Sequence, residues 1–415
     1  MTGCSEPGLL PVNLAIKKLL DSVDGSLLPA VETLPIIQAC GRVLAKPIAA
    51  TVNVPPHDNS AMDGYAICYS DWQAQEGGCL PVSQRIPAGV APEPLQPGTA
   101  ARIFTGAPLP QGADTVVMQE DCEQENDQVK INATVKPESH IRRAGEDIAK
   151  GQTILPAGRV LKPQDLGLIA SVGVDRVDVY QPLKIALLVS GDELLEPGEA
   201  PEAGKIYNSN RYLLEPLLQQ LACHVSYSAK IPDTLDETLS ALHAAAEQAD
   251  VIVTTGGVSV GEEDHLKPAV EAMGNLDLWK VNIKPGKPFA FGSVDHKGRN
   301  VPFIGLPGNP VSVFVTLLVL GLPYLRALQG QDWQPLVPIP IPIGFSMKKA
   351  GRRDEYLRVK LVQKDGVTYL EKYPNQGSGV LSSASWCDGF ALIRAGDIYQ
   401  EGDHVPFLGL PQLMG

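Results

Sequence analysis

The spacing of apolar residues divides the chain into helical and strand-like segments. Residues 12–24, VNLAIKKLLDSVD, repeat apolar side chains at helical spacing and predict an opening helix. From about 50 to 145, short Val and Ile runs alternate with Pro and Gly, as in CLPVSQRIPAGVAPEPLQPGTAARIF, which favours a small β domain. After about 331, proline-punctuated alternation such as PLVPIPIPIGFS predicts a second small β domain, resembling a barrel.

Residues 181 to about 330 alternate between strand-like and helical runs. LKIALLVS, HVSYSAKI, DVIVTT and VPFIGL predict strands, whereas NRYLLEPLLQQLA, TLDETLSALHAAAEQA and EDHLKPAVEAMG predict the helices between them. Such alternation gives a parallel sheet that helices cover on both faces. Ligands bind these sheets beyond the carboxyl ends of the strands, so the candidate site is formed by the loops SGDELL, IPD, TTGGVSVGEED and GLPGNP.

These patterns predict a multidomain α/β plus β protein. Its central domain is a parallel α/β sheet, between an N-terminal β-rich domain and a C-terminal β-barrel-like domain. The predicted segments are a helix in 1–30 that packs on the α/β domain, a linker or helical-β domain formed by 31–50 and 145–180, a small β domain at 51–144, the α/β domain at 181–330 and the C-terminal β domain at 331–415. The apolar run 311–325 is too short to span a membrane and contains Gly321 and Pro323, so it predicts a buried core helix.

Composition narrows the class of protein. The 415 residues carry a formal charge of −13, which argues against a general nucleic-acid binder with a basic face. The seven cysteines are scattered without a CxxC pair or a Cys/His cluster. A zinc site or disulfide framework is therefore not expected, and a reducing compartment fits better. The N-terminus shows no secretion signal. We expect a cytoplasmic protein that binds neither nucleic acid nor membrane.

The stretch TTGGVSVGEEDHLK, residues 254–267, has the features of an anion-binding loop. It follows a predicted strand, and the helix that begins near Glu263 would supply its positive end. Backbone N–H groups can approach an anion at three glycines, Gly256, Gly257 and Gly261, and Ser259 adds a hydroxyl donor. The alternative is a glycine-rich turn that binds no ligand.

Two further stretches add possible contacts for an anion. In GLPGNPVSVF, Asn309 is the expected N-cap of a helix with Pro310 at its first position, and Gly308 leaves the helix end open to a ligand. In WKVNIKPGKPFAFG, three lysines surround a Pro-Gly turn: Lys280, Lys284 and Lys287. The first two fall at even spacing, which predicts that they share one side of a strand. A solvated lysine face is the alternative.

Carboxylates beside an anion-binding loop suggest that the anion arrives with a metal ion. Asp264 is the best candidate ligand, with Glu193 and Asp233 on neighbouring loops of the same sheet edge. Magnesium prefers carboxylate oxygen together with substrate phosphate. Each carboxylate could instead cap a helix or lie on the surface. Thr105, in the turn FTGAPLPQGAD, is a further candidate for a hydroxyl contact.

Taken together, these stretches resemble the MoeA family of molybdopterin molybdenumtransferases, which includes the gephyrin E domain. The resemblance rests on DNSAMDGYA, TGAPLPQGADTVVMQED, RRAGEDI, SGDELL, IYNSNRYLL, TTGGVSVGEEDH, IKPGKPFAFG and GLPGNPVSVF, which run in family order from about residue 55 to 315. The chain departs from the usual family pattern at Ser190, where threonine is frequent, at Asn208, where aspartate is common, and at His265, where an aromatic residue is frequent.

The resemblance implies a reaction, a set of site residues and an assembly. Enzymes of this family take adenylylated molybdopterin and molybdate, release AMP and place molybdenum on the dithiolene sulfurs, with magnesium in support. Family members resemble elongated homodimers, with an active site between domains of both subunits. The family's functional positions fall here on Asp63, Thr105, Glu193, Asp233, Asp264, Lys280, Lys284, Arg358 and Ser378. The implied partners are the small-molecule substrates, a second copy of the chain, a molybdopterin adenylyltransferase and the recipient molybdoenzymes.

The sequence leaves two alternative functions open. A molybdopterin adenylyltransferase would share the α/β domain but would not need DNSAMDGYA or the C-terminal β domain, and both are present. A non-catalytic scaffold or carrier of the cofactor is the other alternative. The candidate site residues are intact, which favours the molybdenumtransferase.

Overall fold

The computed structural model describes residues 8–75, 78–257 and 265–414. The chain divides into two compact units. Unit 1 contains residues 1–32, 41–45 and 179–415, and unit 2 contains residues 33–40 and 46–178. The long α/β segment and the C-terminal strands therefore belong to one unit, and the Pro- and Gly-rich N-terminal strands belong to the other.

The helices within the described ranges are, in chain order, α1 Val12–Asp21, α2 Tyr69–Ala74, α3 Pro163–Ser171, α4 Ser209–Gln220, α5 Leu235–Gln248, α6 Leu266–Met273, α7 Pro310–Thr316, α8 Leu322–Leu328, α9 Leu381–Trp386 and α10 Leu410–Met414.

The strands within the same ranges are β1 Val31–Pro35, β2 Ile48–Ala49, β3 Asn59–Ser60, β4 Gly64–Ile67, β5 Leu80–Ile86, β6 Ala100–Ile103, β7 Thr115–Met118, β8 Cys122–Glu125, β9 Gln128–Ile131, β10 Ile141–Arg142, β11 Thr153–Leu155, β12 Arg176–Tyr180, β13 Leu183–Ser190, β14 Leu194–Leu195, β15 Ile206–Tyr207, β16 Cys223–Ile231, β17 Val251–Thr255, β18 Gly274–Lys280, β19 Ile283–Lys284, β20 Pro288–His296, β21 Arg299–Leu306, β22 Ile339–Pro342, β23 Asp354–Lys364, β24 Val367–Lys372, β25 Gly389–Ile393 and β26 His404–Gly409.

The central sheet of unit 1 confirms the predicted α/β domain and adds two strands to it. Its order is β16-β13-β17-β21-β20-β18. The first four strands are parallel, as their alternation with helices predicts. β20 and β18 complete the sheet in antiparallel register. A short turn joins β20 to β21, and the segment 281–287, which contains β19, joins β18 to β20. β20 therefore begins at the edge where β21 ends.

The predicted core helix is longer than the sequence suggested. α7, a π-helical stretch at Leu317–Gly321 and α8 form one continuous helix, Pro310–Leu328, and Gly321 and Pro323 do not interrupt it. It is long and apolar enough to cross a membrane, but 89% of its most apolar window is buried inside the protein. The helix packs in the same core as Ala15 and Leu19 of α1. It is a core helix of unit 1.

The C-terminal strands of unit 1 curl into a nearly closed barrel. Their order is β19-β23-β25-β26-β22, and β24 pairs with the edge of β23 opposite β25. A bridge between Ile343, next to β22, and Leu370 of β24 joins the ends of this series. Inward side chains such as Val359, Leu370 and Val405 fill the interior. The barrel-like expectation for the C-terminal segment therefore agrees with the structure.

Unit 2 contains a six-stranded sheet of order β7-β4-β6-β5-β9-β8. Two short antiparallel strand pairs, β10 with β3 and β11 with β2, belong to the same unit. Gly64 in β4 is required by close packing, because a Cβ there would collide with the carbonyl oxygen of Val117 on β7. The glycine of DNSAMDGYA thus has a structural function.

Candidate functional site

A polar cavity of about 640 Å³ lies at the carboxyl edge of the central sheet in unit 1. The loops after β17 and β21 form one wall, and the turn before β20 forms another. Residues from the C-terminal barrel complete it. Seven residues that the sequence singled out line the cavity: Gly256, Gly257, Lys284, Lys287, Gly308, Asn309 and Ser378. The fold therefore brings together stretches that are up to about 120 residues apart.

The two glycine loops adjoin each other in the cavity wall. Gly256 has a φ of +83°, and a Cβ there would lie 2.9 Å from the carbonyl oxygen of Ser190. A larger residue would be strained in its backbone and would press on β13. A Cβ on Gly308 would lie 3.9 Å from the Cα of Gly256, so the loops approach closely without side chains between them. The resulting wall is backbone, as binding of an anion by N–H groups requires.

The lysine turn reaches the cavity because β20 is antiparallel to β21. Gly286, at φ +102°, packs so closely that a Cβ would collide with the side chain of Thr316 in α7. The Nζ of Lys284 lies 2.9 Å from the Oε1 of Glu355. The Glu355 side chain is 9% exposed, whereas that of Lys284 is 48% exposed. A buried carboxylate therefore orients a lysine whose charge can still meet a ligand.

Lys280 does not line this cavity. The prediction that it shares one side of a strand with Lys284 is wrong, because Lys280 ends β18 and Lys284 ends β19. The first strand belongs to the central sheet and the second to the barrel. Between the two strands, Asn282 donates its backbone N–H to the carbonyl of Leu10, at the point where the chain leaves the central sheet for the barrel. The structure therefore separates two lysines that the spacing placed together.

The barrel contributes a polar wall around Ser378. The carbonyl of Ser378 accepts a 3.0 Å hydrogen bond from the N–H of Val311 in α7. Gln376 holds this loop to β23, since its Nε2 donates to the carbonyl of Arg358 and its Oε1 accepts from the N–H of the same residue. Arg353 also lines the cavity, and its Nη1 donates to the carbonyl of Ile283 at 2.9 Å.

Arg358 lies beneath this wall rather than in the cavity. It is fully buried, and it donates to the hydroxyl of Ser383 and to the carbonyls of Tyr356 and Gly377. Burial lowers the pKa of the Arg358 guanidinium. Positions two apart in a strand share a face, so Arg358 lies on the same face of β23 as Tyr356, which packs in the main core of unit 1. Val359 lies on the opposite face, inside the barrel. In this structure the contact of Arg358 with the loop at Gly377 positions the wall and does not place the guanidinium in the cavity.

Two of the three predicted carboxylates lie in loops that follow neighbouring parts of the sheet edge, Glu193 after β13 and Asp233 after β16. Glu193 is exposed. The N–H of Asp192 donates to Asp233 at 3.1 Å, and the N–H of Asp233 donates to Asp192 at 3.3 Å. Within the described ranges, no group of three His, Cys, Asp or Glu residues is arranged to hold a metal ion. Ser259, Gly261 and Asp264 lie outside those ranges.

Asp63 and Thr105 come together in unit 2. The backbone N–H and the hydroxyl of Thr105 both donate to Oδ1 of Asp63, at 2.8 and 2.7 Å. These two bonds lower the pKa of the Asp63 carboxyl, and the charge of Arg102 adds to the effect. Asp63 is therefore an ionised carboxylate at neutral pH, and its second oxygen accepts no hydrogen bond from the residues that the structure describes.

The other aspartate of DNSAMDGYA is committed to the fold. Asp58 accepts from the N–H of Ala144 and from the guanidinium of Arg143, at 2.8 and 2.7 Å. These bonds lower the pKa of Asp58. They connect DNSAMDGYA with RRAGEDI within unit 2.

Several residues that line the cavity were not singled out from the sequence, among them Gly286, Ser312, Arg353, Gln376 and Gly377. Glu355, which pairs with Lys284, was not singled out either. Gly286 stands between two prolines and two lysines, so its place in the lysine turn was readable. Glu355 offered a weaker signal, as an acidic residue within the strand-like segment DEYLRVKL. Its pairing with Lys284 depends on the register of β19 against β23, which local sequence does not encode.

The fold and the cavity define a multidomain α/β protein with a polar site at the carboxyl edge of its sheet. The chain belongs to the MoeA family. The model of the MoeA N-terminal region, domains I and II, matches residues 10–173. The model of the probable molybdopterin binding domain matches residues 186–327, and that of the MoeA C-terminal region, domain IV, matches residues 340–410.

Similar proteins extend over most of the chain. A molybdopterin molybdenumtransferase of Haemophilus influenzae is 40% identical, over 85% of this chain and 87% of its own length. A molybdopterin molybdenumtransferase of a Nostoc species is 34% identical, over 92% of this chain and 89% of its own. The crystal structure of a molybdopterin biosynthesis MoeA protein from Pyrococcus horikoshii OT3 is 28% identical and superposes with a TM-score of 0.80, covering 96% of this chain and 99% of that one.

Proposed function

We propose that this protein is a magnesium-dependent molybdopterin molybdenumtransferase. Its substrates are adenylylated molybdopterin and molybdate, and its products are the molybdenum cofactor and AMP. The observation that carries the proposal is the cavity in which two glycine loops face the lysine turn. Two relatives with 40% and 34% identity carry the name of this activity. The MoeA N-terminal and C-terminal regions match the chain on both sides of the central domain, which supports a molybdenumtransferase over an adenylyltransferase.

The cavity is suited to the charged part of the substrate. Pyrophosphate and molybdate are both oxyanions, which backbone N–H groups and ammonium groups bind well. Lys284, oriented by Glu355, supplies a cation at the mouth, and Lys287 lies in the same turn. A volume of about 640 Å³ falls within the usual range for sites that bind small molecules. Lys280 does not line this cavity, so its predicted role in anion binding would be exercised at a different place on the protein.

The described carboxylates fit magnesium by the chemistry of their donor atoms. The side-chain carboxylate of Glu193 accepts no hydrogen bond from the described residues, and its oxygens are of the kind that magnesium prefers. Glu193 and Asp264 are the proposed ligands of the ion, and Asp233 is a further candidate for the same site. Magnesium, when bound, would neutralise charge that develops on the leaving phosphate. The chain's own residues orient the pyrophosphate and keep the ionised Asp63 available to the reacting groups.

Asp63 and Thr105 are proposed to serve the chemical step rather than affinity. The hydrogen bonds from Thr105 lower the pKa of the Asp63 carboxyl, which disfavours a general base with a pKa near neutral pH. An ionised carboxylate with one free oxygen can instead orient the attacking water or a cation. The hydroxyl of Thr105 fixes the position of that carboxylate.

The proposal is tested by AMP release from adenylylated molybdopterin with magnesium, measured with and without molybdate. Molybdate-dependent release of AMP, with molybdenum recovered on the dithiolene, is the expected result. Bound substrate that yields no AMP at any molybdate concentration would favour a carrier of the cofactor. Transfer of AMP from ATP to free molybdopterin would identify an adenylyltransferase.

The proposed setting is the cytoplasm, with the chain as a homodimer. The described cysteines, at 40, 68, 79, 122, 223 and 387, are free thiols, which agrees with a reducing compartment. A molybdopterin adenylyltransferase is the proposed supplier of the substrate, and molybdoenzymes are the proposed recipients. Sedimentation at the mass of two chains across a wide range of concentrations is expected. A monomer throughout that range would contradict the dimer.

A further inference from the structure

A pair of polar side chains behind the cavity wall has no assigned role. Asn210 lies in the first turn of α4, and Thr255 is the last residue of β17. Neither side chain lines the cavity. The Nδ2 of Asn210 donates to the Thr255 hydroxyl and to the carbonyl of Gly308, both at 2.8 Å. The Thr255 hydroxyl in turn donates to the carbonyl of Pro307 at 3.1 Å.

This network is directional. The Thr255 hydroxyl accepts one hydrogen bond and donates another, so its single proton is directed at Pro307. Thr255 is 1% exposed, and water therefore does not compete for these bonds. The remaining oxygen of Asn210, Oδ1, is buried without a partner among the described residues. A buried polar atom without a partner costs stability, which indicates that the amide is kept for another reason.

The network fixes the orientation of two consecutive peptide groups. In a trans peptide, the C=O and the N–H point in opposite directions. The carbonyls of Pro307 and Gly308 point towards Thr255 and Asn210, behind the wall. The N–H groups of the same two peptides, which belong to Gly308 and Asn309, therefore point to the cavity side. Within the described residues neither N–H has a hydrogen-bond partner.

We propose that Asn210 and Thr255 are positioning residues that direct the N–H groups of Gly308 and Asn309 at a phosphate group of the substrate. Successive N–H groups at the start of a helix form a concave site for an anion. Gly308 has no side chain to cover it, and a Cβ there would find open space apart from Gly256. The identity of the anion as the substrate's pyrophosphate rests on the proposed function. The orientation of the two peptides does not.

The test uses inorganic pyrophosphate as the probe, in magnesium-free buffer and with the full chain. Wild-type protein is labelled with ¹⁵N at glycine and asparagine, and the amide signals of Gly308 and Asn309 are followed during the titration. Both amide protons are expected to move downfield as they bond to the anion, while sulfate at equal ionic strength causes a smaller shift. Wild-type signals that stay in place as pyrophosphate binds, or a failure to bind pyrophosphate, would overturn the proposal.

Three variants locate the effect. Asn210→Leu and Thr255→Val preserve shape and remove the donors, and each is expected to raise the Kd for pyrophosphate about tenfold, the equivalent of about 1.4 kcal/mol. Thr255→Ser keeps the hydroxyl and is expected to retain wild-type affinity. Wild-type affinity in both Asn210→Leu and Thr255→Val would contradict the proposal. If one of these two does not fold, the other and the wild-type titration still decide the result.

The outcome is separable from that of the proposed function, because binding of pyrophosphate requires no turnover. Molybdate-dependent AMP release without the amide shifts would overturn the role of Asn210 and Thr255 and leave the transferase in place. Amide shifts without AMP release would retain that role and overturn the transferase.

Discussion

The cavity of unit 1 and the Asp63 pair of unit 2 are built in different ways. The cavity is lined by backbone N–H groups, glycines and lysines from loops that are far apart in the chain. Buried side chains such as Glu355 and Thr255 hold these loops in place. The Asp63 pair consists of one exposed carboxylate held by two bonds from Thr105. A large preorganised cavity suits binding of charge, whereas a single oriented carboxylate suits one step of chemistry. The difference predicts that mutations in the two places will change different kinetic constants.

The largest expected effect is that of Lys284→Ala. It removes the oriented cation of the cavity, and kcat/KM for AMP release is expected to fall about 100- to 1000-fold, as for loss of one preorganised electrostatic contact. Lys297→Ala is the matched control, because Lys297 also pairs with a glutamate, Glu247, but does not line the cavity. Its activity is expected to remain at the wild-type level. Equal losses in both variants would mean that overall charge, not the oriented lysine, matters.

Asp63→Ala is expected to reduce kcat about 100-fold with little change in KM, because the proposed role lies in the chemical step. Asp58→Asn serves as its control within the same motif. Asp58 is committed to Ala144 and Arg143, so its loss is expected to lower the melting temperature and leave kcat unchanged. If Asp58→Asn lost activity while its stability was retained, the division of the motif into a chemical and a structural aspartate would be wrong.

The backbone of the cavity wall can be tested by Gly256→Ala. The positive φ and the collision with the Ser190 carbonyl are expected to lower the free energy of unfolding by about 2–4 kcal/mol. Gly298→Ala isolates the cost of the positive φ, because Gly298 has a φ of +80° and open space around a Cβ. This substitution is expected to lower the free energy of unfolding by about 1 kcal/mol. Urea unfolding measures both. Equal costs would show that close packing at Gly256 contributes nothing.

The smallest change is expected from Thr105→Val, which removes the hydroxyl and keeps the backbone N–H. The pKa of Asp63 is expected to rise towards its usual value, because one of the two bonds to its ionised form is lost. In the wild type, the lowered pKa of Asp63 stabilises the folded state at pH values above the pKa that this carboxyl has in the unfolded chain. This stabilisation is lost as the pH falls through the pKa of Asp63 in the folded state. A carboxyl ¹³C titration of Asp63 would show the shift. An unchanged midpoint would remove Thr105 from the pair.

Loop positions at strand ends were predictable from the sequence. Gly256 and Gly308 each follow an apolar strand, and parallel strands must present such loops at one edge. The strand-helix alternation likewise identified the α/β domain. Neither inference needed contacts between distant residues.

The structure departs from the sequence-based expectations where long-range pairing decides the position of a residue. The antiparallel strands β18 and β20 and the transfer of residues 283–284 to the barrel separate Lys280 from Lys284. Arg358 is buried because the alternation of β23 places it with Tyr356 on the face that packs against the main core of unit 1, opposite Val359. The Asn210 amide gave no signal in the sequence, because its partners at 255 and 308 become neighbours only in the folded sheet.

The division of labour between the cavity and Asp63 is tested most directly by measuring two quantities for the same two variants. These are the Kd for adenylylated molybdopterin and the rate of molybdate-dependent AMP release. Lys284→Ala is expected to weaken binding at least tenfold, whereas Asp63→Ala is expected to bind within about twofold of wild type and to lose AMP release. Asp63→Ala that binds as weakly as Lys284→Ala, or that still releases AMP at the wild-type rate, would contradict this account.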